Sequence, residues 1–368
     1  MKEKRTSPLK IILGLLLKLI ILLLIILIAY VAYVLIDYHR LDDNLIVTPE
    51  GKAQVEVLDS SSENTYNLTN WNIGFSAYTD QFSFFMDGGD YSRGFSKDAI
   101  IENTEAIIDQ LKGFNSDLYL IQEVDFGSTR SYKVDEKEML TNVFDMKYEC
   151  TFGENYDSPY LFYPVTSPIG SSKSGMLTMS KYHITEAVRR SLPIQTSLAK
   201  YLDLDRAYVV NRIPLTNGKE LILINLHLSA YTTDDTIVKQ QLQMLSDTIT
   251  EEYEKGNYVI AGGDFNTDLL QDSGSIFGVS GAKYSWAQPF PLDTIPEGAE
   301  LIAPLDEANP VPSCRNADSP WDPKTNFQIT IDGFIVTDNI EVKKCEVTDL
   351  QFAYSDHNPV QLEFSFKD

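Results

Sequence analysis

Residues 221–266, LILINLHLSAYTTDDTIVKQQLQMLSDTITEEYEKGNYVIAGGDFN, decide the fold of this chain. Two apolar runs, LILINLHL and NYVIAGG, are typical of buried strands, and the stretch between them predicts a helix over 235–254. Apolar side chains recur in that helix at three- and four-residue steps, at Val238, Leu242, Leu245 and Ile249. A histidine interrupts the first run, and GGDFN ends the second. The segment predicts a strand, a helix and a strand, with polar groups placed for chemistry rather than for a core.

The same alternation continues in both directions along the chain. YNLTNWNI and DLYLIQEV predict strands on either side of a helix over 98–113, while YVVNRI, QITIDGFIV and VQLEFSF predict further strands. Strand pairs typical of hairpins are mixed with single helices, which favours an α+β sandwich over a doubly wound parallel sheet. Residues 74–97 and 268–327 are expected to form loops that either shape access to a site or only pack.

The N-terminal part is typical of a membrane anchor. Residues 11–36 are apolar except for Lys18, and as a helix they would extend about 39 Å, enough to cross a bilayer. Bases precede this span and acids follow it, so residues 1–10 are expected to form a cytoplasmic tail. A cleaved signal peptide is the alternative, but its apolar core would measure about 7–15 residues. We expect 37–65 to form a stalk, with an entry strand as the alternative, and 66–368 to form the catalytic domain outside the cell membrane.

The charge of the exported part limits its partners. The chain carries a net charge of −23. Six bases and two acids fall among the first 40 residues, which leaves 24 bases and 51 acids, a net −27, for residues 41–368. Such a surface repels polyanions, although a bound cation can create a local positive field. Cys150, Cys314 and Cys345 are too few and too scattered for a disulfide framework or a zinc site.

Six short polar motifs end or interrupt apolar runs. In chain order they are TNWNIGF, LIQEVD, LINLHLSA, GGDFN, ITIDGFIV and YSDHNPV. Hydrolysis of a phosphoester needs a divalent ion held by carboxylates, a base for water, and donors for the phosphate oxygens. The motifs contain side chains for each of these tasks, so they predict a metal-assisted site.

The first, second and fourth motifs supply the predicted ligands and base. Glu123 ends the run LYLIQ, and with Asn72 it would offer the oxygen donors that Mg²⁺ prefers; the alternative is a solvated glutamate at a strand end. Asp264 would orient or deprotonate the attacking water, and Asn266 would donate to the phosphoryl oxygens. Two glycines before Asp264 are expected to let the backbone turn sharply, and an ordinary turn is the alternative for this motif.

The remaining motifs supply imidazoles and a cation. His227 would donate to a phosphate oxygen, or else is a hydrogen-bonded core residue. Asp332 is a charge inside an apolar run, costly unless paired, and we assign His357 as its partner. The pair would suit a phosphate or leaving-group contact, and a structural ion pair is the alternative. Arg130 would contact a substrate phosphate, or else is an exposed loop residue. Asp356 directly precedes His357.

In this order, the motifs resemble those of the endonuclease/exonuclease/phosphatase superfamily. That group includes pancreatic-type deoxyribonucleases, abasic-site endonucleases, bacterial sphingomyelinases and inositol polyphosphate phosphatases. The resemblance covers about residues 66–368 and is most specific in GDFN and SDH. It implies a four-layered α/β/β/α sandwich of two mixed sheets flanked by helices, with the site at one rim. It also implies Mg²⁺ as cofactor, with Mn²⁺ as the other candidate ion.

The resemblance assigns a role to each motif. Glu123 looks like the magnesium ligand, Asn72 supports metal and phosphate, and Asp356 matches a carboxylate near the metal. Asp264 matches the base, Asn266 the oxyanion donor and His227 the phosphate donor. His357 matches the supported imidazole, and Asp332 matches the carboxylate that supports it.

Two departures from the family's specialised members stand out. The abasic-site enzymes carry an acid where this chain has Gly74, and the inositol phosphatases carry Tyr-Arg where it has Thr267 and Asp268. The chain therefore matches neither specialised substrate.

The sequence thus predicts a hydrolase anchored on the outer face of a membrane that cleaves a phosphodiester with Mg²⁺. The substrate would be a lipid head group or extracellular nucleic acid. The bilayer would be contacted through residues 11–36, and no protein partner is predicted. Alternatives are a catalytically inactive binding module on the same fold, a phosphomonoesterase, and a released protein.

Overall fold

The computed structural model describes residues 7–144, 147–195, 198–201, 205–230, 235–284 and 286–367. It contains two units, Met1–His39 and Arg40–Asp368. In the first unit, helix α1 (Pro8–Asp37) begins at a proline, which suits a first turn, and none of its described residues is buried. The helix is long and apolar enough to cross a membrane, with a mean hydropathy of 3.4 in its most apolar window. Residues 1–6 of the predicted tail lie outside the described part of the chain.

Helices and strands alternate through the second unit. Its described helices are α2 (Lys97–Phe114), α3 (Glu136–Phe144), α4 (Asp235–Glu254) and α5 (Ser273–Phe277). The first eight described strands of the chain are β1 (Leu45–Ile46), β2 (Glu50–Gly51), β3 (Tyr66–Asn72), β4 (Leu118–Asp125), β5 (Glu149–Asp157), β6 (Lys173–Ser180), β7 (Glu186–Ser191) and β8 (Ala207–Pro214). The others are β9 (Glu220–His227), β10 (Tyr258–Asp264), β11 (Ala299–Ile302), β12 (Cys314–Arg315), β13 (Gln328–Ile329), β14 (Asp332–Thr337), β15 (Ile340–Val347) and β16 (Val360–Phe366).

Two seven-stranded sheets form the body of this unit. The first sheet has the order β1-β7-β8-β9-β10-β14-β11, and the second has the order β15-β16-β3-β4-β6-β5-β2. Among the described strands, each sheet holds one parallel pair, β9 with β10 and β3 with β4, and the other pairs are antiparallel. A helix connects the two strands of each parallel pair, α4 in the first sheet and α2 in the second. The carboxyl ends of these central pairs position the site.

Three apolar clusters define four layers. The inner cluster lies between the sheets and contains side chains such as Leu120 and Leu223, which are fully buried. A second cluster packs α4 on the first sheet through Leu242 and Leu245. A third packs α2 and α3 on the second sheet, with Ile107 at its centre. This arrangement confirms the predicted α+β sandwich of two mixed sheets flanked by helices.

Two expectations about the chain's organisation need correction. Residues 40–58 are not a separate stalk, because β1 pairs with β7, β2 pairs with β5, and Leu58 is fully buried in the inner cluster. QITIDGFIV is not a single strand, because β13 pairs with β12 in a small separate sheet while β14 joins the first large sheet. Asp332 is therefore the first residue of β14 rather than a charge in the middle of a strand.

Candidate active site

Four of the predicted site residues lie at the carboxyl ends of the two parallel strand pairs. Asn72 is the last residue of β3, and Glu123 lies near the end of the neighbouring β4. In the other sheet, Asp264 ends β10, with His227 of β9 on one side of it in register and Asp332 of β14 on the other. Sheet topology thus brings together groups from five separate motifs.

The two glycines before Asp264 serve close packing rather than the expected sharp turn. β10 continues through both of them to Asp264. Gly263 has φ +154°, and a Cβ there would lie 1.9 Å from the carbonyl oxygen of Leu226. A Cβ on Gly262 would lie 2.4 Å from the ring of Phe334. Glycine is required because neighbouring groups come too close for any side chain.

Asp264 is the centre of the site. Its Oδ2 accepts a hydrogen bond from Asn72 Nδ2 at 3.0 Å, and its Oδ1 accepts one from the backbone N–H of Asn266 at 2.9 Å. The Nε2 atoms of His227 and His357 lie 3.5 Å and 3.8 Å from the same Oδ2. Burial raises the pKa of Asp264 to about 7, although the charge on His357 opposes the rise. This carboxylate can therefore exchange a proton near neutral pH.

His357 is held by a buried acid. Its Nδ1 lies 2.8 Å from Asp332 Oδ2, which also accepts a hydrogen bond from Ser313 Oγ at 2.7 Å. Burial favours the neutral imidazole, but the charge on Asp332 outweighs burial and raises the pKa of His357 well above its ordinary value. His357 is thus an imidazolium whose Nε2 faces Asp264.

The backbone of His357 is tied to the first motif. Trp71 Nε1 donates to the carbonyl oxygen of His357 at 2.8 Å. Ser355 Oγ donates to the carbonyl oxygen of Asn72 at 2.8 Å, and it accepts the backbone N–H of His357 at 3.1 Å. Trp71 and Ser355 belong to the motifs TNWNIGF and YSDHNPV, but no local pattern assigned them a role.

His227 has the opposite protonation state. Burial, followed by the positive charges of Arg206, His357 and Arg130, lowers the pKa of His227 well below its ordinary value. Its Nδ1 faces the amide nitrogen of Asn155 at 3.5 Å. Because the amide nitrogen is a donor, Nδ1 acts as the acceptor and the ring proton lies on Nε2. His227 is therefore a neutral imidazole whose Nε2–H faces Asp264.

Glu123 occupies an irregular point in its strand. It has φ +55°, and the pairing of β4 with β6 shifts register between Ile121 and Val124. A β-bulge of this kind redirects a side chain, here away from the sheet face and into the site. Its carboxylate oxygens lie 3.4 Å from Asn72 Nδ2 and 3.7 Å from Arg130 Nη2.

Arg130 lies in the site but is firmly held from behind. Its Nε and Nη2 donate to the two oxygens of Asp125 at 3.0 Å and 2.8 Å. The guanidinium also stacks over the ring of Phe75, 3.9 Å from its centroid. Arg130 is 5% exposed and reaches both Glu123 and the cavity. It is therefore buried, rather than the exposed loop residue considered as the alternative.

The remaining predicted residues complete the wall of one cavity. Asn266 Nδ2 donates to the carbonyl oxygen of Leu228 at 2.8 Å, which orients the amide. The backbone carbonyl of Asp356 accepts from Arg315 N at 2.9 Å. A Cβ on Gly74 would lie 3.1 Å from Asp356 Oδ1 and 2.9 Å from the ring of Tyr78. The acid that abasic-site enzymes carry at this position therefore has no room here.

The cavity has a volume of about 340 Å³. Seven of the predicted site residues line it, namely Glu123, Arg130, His227, Asp264, Asn266, Asp356 and His357. Asn72 and Asp332 do not line it but contact residues that do. Tyr156, Arg206 and Arg315 are among the other lining residues, and the sequence analysis did not predict them. No local pattern marks them, since each comes from a strand or loop with unremarkable polarity.

Two groups of donors in the site are candidates for binding a divalent cation. One ligand atom each from Asp264, Asp332 and His357 lie within 4.8 Å of one another. Asp332 Oδ2 is already engaged by His357 and by Ser313, so this trio is better suited to orienting the imidazole than to binding a cation.

Glu123, Asn72 and Asp356 are the better candidates. They offer carboxylate and amide oxygens, the hard donors that Mg²⁺ and Mn²⁺ prefer. Burial raises the pKa of Asp356 to about 6, and the charge on Glu123 adds to the rise, against the lowering effect of His357 and Arg315. A cation between the two acids would relieve this repulsion, so the donor set fits the ion.

Comparison with known proteins identifies the family. The sequence profile of the Endonuclease/Exonuclease/phosphatase family matches residues 69–357. A crystal structure of an endonuclease/exonuclease/phosphatase from Beutenbergia cavernae DSM 12333 has a TM-score of 0.52 at 16% identity, over 82% of this chain and 72% of that one. No curated protein matches the sequence.

Two further solved structures share the fold. ANGEL2, described as a 2',3'-cyclic phosphatase, has a TM-score of 0.51 at 14% identity, over 87% of this chain and 98% of that one. D. rerio TDP2, complexed with a single-strand DNA product, has a TM-score of 0.51 at 13% identity, over 82% and 99%. At these identities the likeness concerns the fold alone, whereas the profile spans most of the chain. This chain therefore belongs to the endonuclease/exonuclease/phosphatase family.

Proposed function

We propose that this protein is a divalent-metal-dependent phosphodiesterase, anchored in the cell membrane by α1 and acting on its outer face. The observation that carries the proposal is the convergence of Glu123, Asp264 and His357 on one cavity, with Asn72 in contact with both of these acids. Acids, amides and imidazoles from distant motifs meet there in the combination that phosphoester hydrolysis requires.

Asp264 is the proposed base. It is buried, its Oδ1 is held by the backbone of Asn266, and its Oδ2 is held by Asn72. These bonds leave the carboxylate in a single orientation toward the cavity. A water placed against it would be oriented for attack on phosphorus and would lose its proton to the carboxylate.

His357, His227 and Asn266 are the proposed donors to the phosphoryl oxygens. His357 carries a positive charge fixed by Asp332, and His227 is a neutral donor. Preorganised donors of this kind stabilise charge that grows on the phosphoryl oxygens without having to reorient during the reaction. Arg130 would add a further positive charge to the wall of the cavity, as the predicted phosphate contact.

Glu123, Asn72 and Asp356 would hold the metal ion. Mg²⁺ is proposed and Mn²⁺ is the alternative, because the donors are oxygens and soft ligands do not contribute. When bound, such an ion supplies a Lewis acid that neutralises charge on the phosphoryl group.

The membrane part of the proposal rests on α1 and its flanks. Residues 11–36 of the helix are apolar except for Lys18, bases are concentrated before this stretch, and Asp37, Asp42 and Asp43 follow it. This asymmetry favours a cytoplasmic N-terminus, and it supports a catalytic domain on the outer side of the membrane. ANGEL2 and TDP2, which share the fold, are described with a cyclic phosphate substrate and a DNA product. Phosphodiester chemistry is consistent with both.

The test is hydrolysis of bis-(p-nitrophenyl) phosphate by the full-length protein in detergent. We expect turnover that requires added Mg²⁺ or Mn²⁺ and that is abolished in Asp264→Ala and His357→Ala. Matched controls are Asp268→Ala and His183→Ala, because Asp268 is buried but outside the cavity and His183 pairs with Glu149. Faster hydrolysis of p-nitrophenyl phosphate than of the diester would instead indicate a phosphomonoesterase. Equal inertness of wild type and variants with every metal would favour the inactive binding module.

A further inference from the structure

The loop between β5 and β6, residues 158–172, is an exposed apolar feature that the proposed chemistry does not use. Its sequence, SPYLFYPVTSPIGSS, contains no charged residue, although residues 41–368 carry a net −27. Val165 is 84% exposed, Tyr163 68% and Phe162 57%. We refer to residues 158–172 as the aromatic loop.

These exposures are extreme for this molecule. Among the described residues after α1, the four most exposed large apolar side chains are the three above and Ile46, at 79%. Single exposed apolar residues are ordinary, but clusters of them mark contact surfaces. Apolar surface that stays in contact with water is unfavourable, so the joint exposure of these side chains is costly unless something covers them.

The aromatic loop is held in place at its base. Backbone N–H groups of Ser158 and Leu161 donate to the carbonyl oxygens of Ser172 and Gly170 at 2.9 Å and 3.2 Å. Leu161 is buried, as is Ile169. The loop is therefore anchored by its own apolar residues, and its exposed side chains are not the result of a missing core.

The exposed side chains adjoin the catalytic cavity. Ile169 lines the cavity, as does Tyr156 just before the loop. The ring of Tyr163 contacts that of Phe85, at 5.7 Å between centroids, and the next residue, Met86, lines the cavity and is 55% exposed. Apolar surface therefore continues from the tip of the aromatic loop to the mouth of the cavity.

Arg40, the first residue of the second unit, is bonded to the segment beside the base of the aromatic loop. Arg40 Nη2 donates to the carbonyl oxygen of Asp205 at 3.3 Å. The backbone N–H of Asp205 donates in turn to the carbonyl oxygen of Asn155 at 3.0 Å, two residues before β5 ends. Ile46 lies on β1, a few residues after Arg40.

We propose that the aromatic loop inserts into the head-group region of the bilayer that α1 crosses, and that the phosphodiester cleaved is that of a membrane lipid. The proposal rests on the proposed function and narrows its substrate. The same chain carries α1, a helix long and apolar enough to cross a membrane, and Tyr and other aromatic side chains are favoured at membrane–water interfaces. An uncharged loop can approach lipid head groups from which the acidic body is repelled. A lipid would keep its acyl chains in the bilayer while its head group enters the cavity along the apolar surface.

Insertion can be measured without relying on activity. Full-length Val165→Trp and Phe162→Trp proteins would be reconstituted in phosphatidylcholine vesicles with brominated acyl chains. We expect their tryptophan emission, after subtraction of the wild-type signal, to be quenched at least twofold relative to vesicles without bromine. Val143→Trp is the matched control, because Val143 is 44% exposed and lies on α3, away from the aromatic loop. The neighbouring residue Phe144 contacts Tyr119 near the start of β4, whereas the site lies at the other end of that strand. Quenching of the loop variants no greater than that of the control would overturn the proposal.

The substrate is tested with a triple variant, Phe162→Ser, Tyr163→Ser and Val165→Ser. Each protein would be assayed on bis-(p-nitrophenyl) phosphate, on vesicles of phosphatidylcholine with sphingomyelin or phosphatidylglycerol, and on single-stranded DNA. We expect the triple variant to keep its rate on the soluble diester within twofold and to lose at least tenfold on the vesicle lipid. Preferred cleavage of DNA, unchanged in the variant, would overturn the lipid assignment. If wild type is inert on the soluble diester while the loop is quenched, the proposed function fails and the docking stands.

Discussion

Two buried polar regions lie next to each other in this molecule and differ in how their hydrogen-bonding groups are used. Between the sheets, Gln122 Nε2 donates to the side-chain oxygens of Asn70 and Asn225 at 2.9 Å and 2.8 Å. Asn225 Nδ2 continues to the carbonyl oxygen of Leu177 at 3.1 Å. The next residue, Glu123, enters the cavity, and its carboxylate is held only by longer contacts. Asn72 Nδ2 lies 3.4 Å from Oε1, and Arg130 Nη2 lies 3.7 Å from Oε2.

The difference separates structural from functional polarity. We refer to Asn70, Gln122 and Asn225 as the polar layer; these amides bond to one another between the sheets and line no part of the cavity. The acids and imidazoles of the cavity have shifted pKa values, raised for Asp264 and His357 and lowered for His227, because burial and neighbouring charges act on groups that face open space. Such shifts mark functional sites when they coincide with a cavity. Burial alone, which both regions share, does not.

The largest effect is expected from Asp264→Asn, which keeps the shape of the cavity and removes its proposed base. The rate of diester hydrolysis should fall by about 10²–10⁴-fold. Stability should not fall. Burial raises the pKa of Asp264 from 3.8 to about 7, so between those values the folded state holds a proton that the unfolded state releases, and stability decreases as pH rises through that window. The neutral variant lacks this loss, and thermal unfolding at pH 8 without added metal should show an equal or higher midpoint. A lower midpoint for the variant would mean that the Asp264 carboxylate stabilises the fold, as the buried amides between the sheets do.

Asp332→Asn should have the next largest effect, about 10–100-fold on the rate, because the carboxylate acts by holding His357. The pH profile separates this role from a merely structural one. Asp332 raises the pKa of His357, so the imidazolium persists to higher pH than an ordinary histidine and is lost as pH rises through the raised value. Without the carboxylate that pKa falls, and the basic limb of the rate profile should move to lower pH. A rate loss with an unmoved limb would contradict the assignment.

The sequence predicted the central parts of the fold and of the site for a shared physical reason. A strand buried on both faces reads as an apolar run, so a polar residue at its end stands out, as at Glu123 and Asp264. The strands that escaped prediction, such as β5 (ECTFGENYD) and β7 (EAVRRS), carry polar or half-exposed residues and lack such a run. The break between β13 and β14 was missed because both halves are apolar and only tertiary pairing separates them.

Gln122→Leu tests the other side of the comparison. Leucine removes the donor to Asn70 and Asn225 and leaves two buried oxygens without it. The free energy of unfolding should fall by about 1–3 kcal/mol, measured by urea denaturation. The rate of diester hydrolysis should stay within a few-fold, since Gln122 does not line the cavity. A rate loss as large as that of Asp264→Asn, with stability intact, would mean that the polar layer belongs to the catalytic machinery.

The limits of prediction at the site follow from the same contrast. Arg206, Tyr156 and Arg315 line the cavity but come from segments whose composition is ordinary. Their position depends on which loops and strands meet, and no local pattern records that. Gln122 shows the converse, because it lies in the quoted motif LIQEVD beside Glu123 and yet faces the polar layer.

The smallest effect is expected from Glu136→Gln, which asks whether a shifted pKa without a cavity has any functional meaning. Glu136 is fully buried, and burial, together with the charge on Asp125, raises its pKa well above 4.5. Its Oε2 accepts the backbone N–H of Asp125 at 3.0 Å, a bond that the amide oxygen of glutamine can keep. As pH rises above 4.5, the unfolded state ionises while the folded state holds its proton, so this residue costs stability toward higher pH. The variant should therefore be more stable than wild type at pH 8, by at most about 1 kcal/mol, with the difference vanishing near pH 4.5. The rate of diester hydrolysis should not change.

Urea denaturation at pH 8 and pH 4.5 distinguishes the outcomes. A variant less stable than wild type at pH 8 would mean that Glu136 is ionised in the fold and that the nearby charge of Arg130 stabilises it.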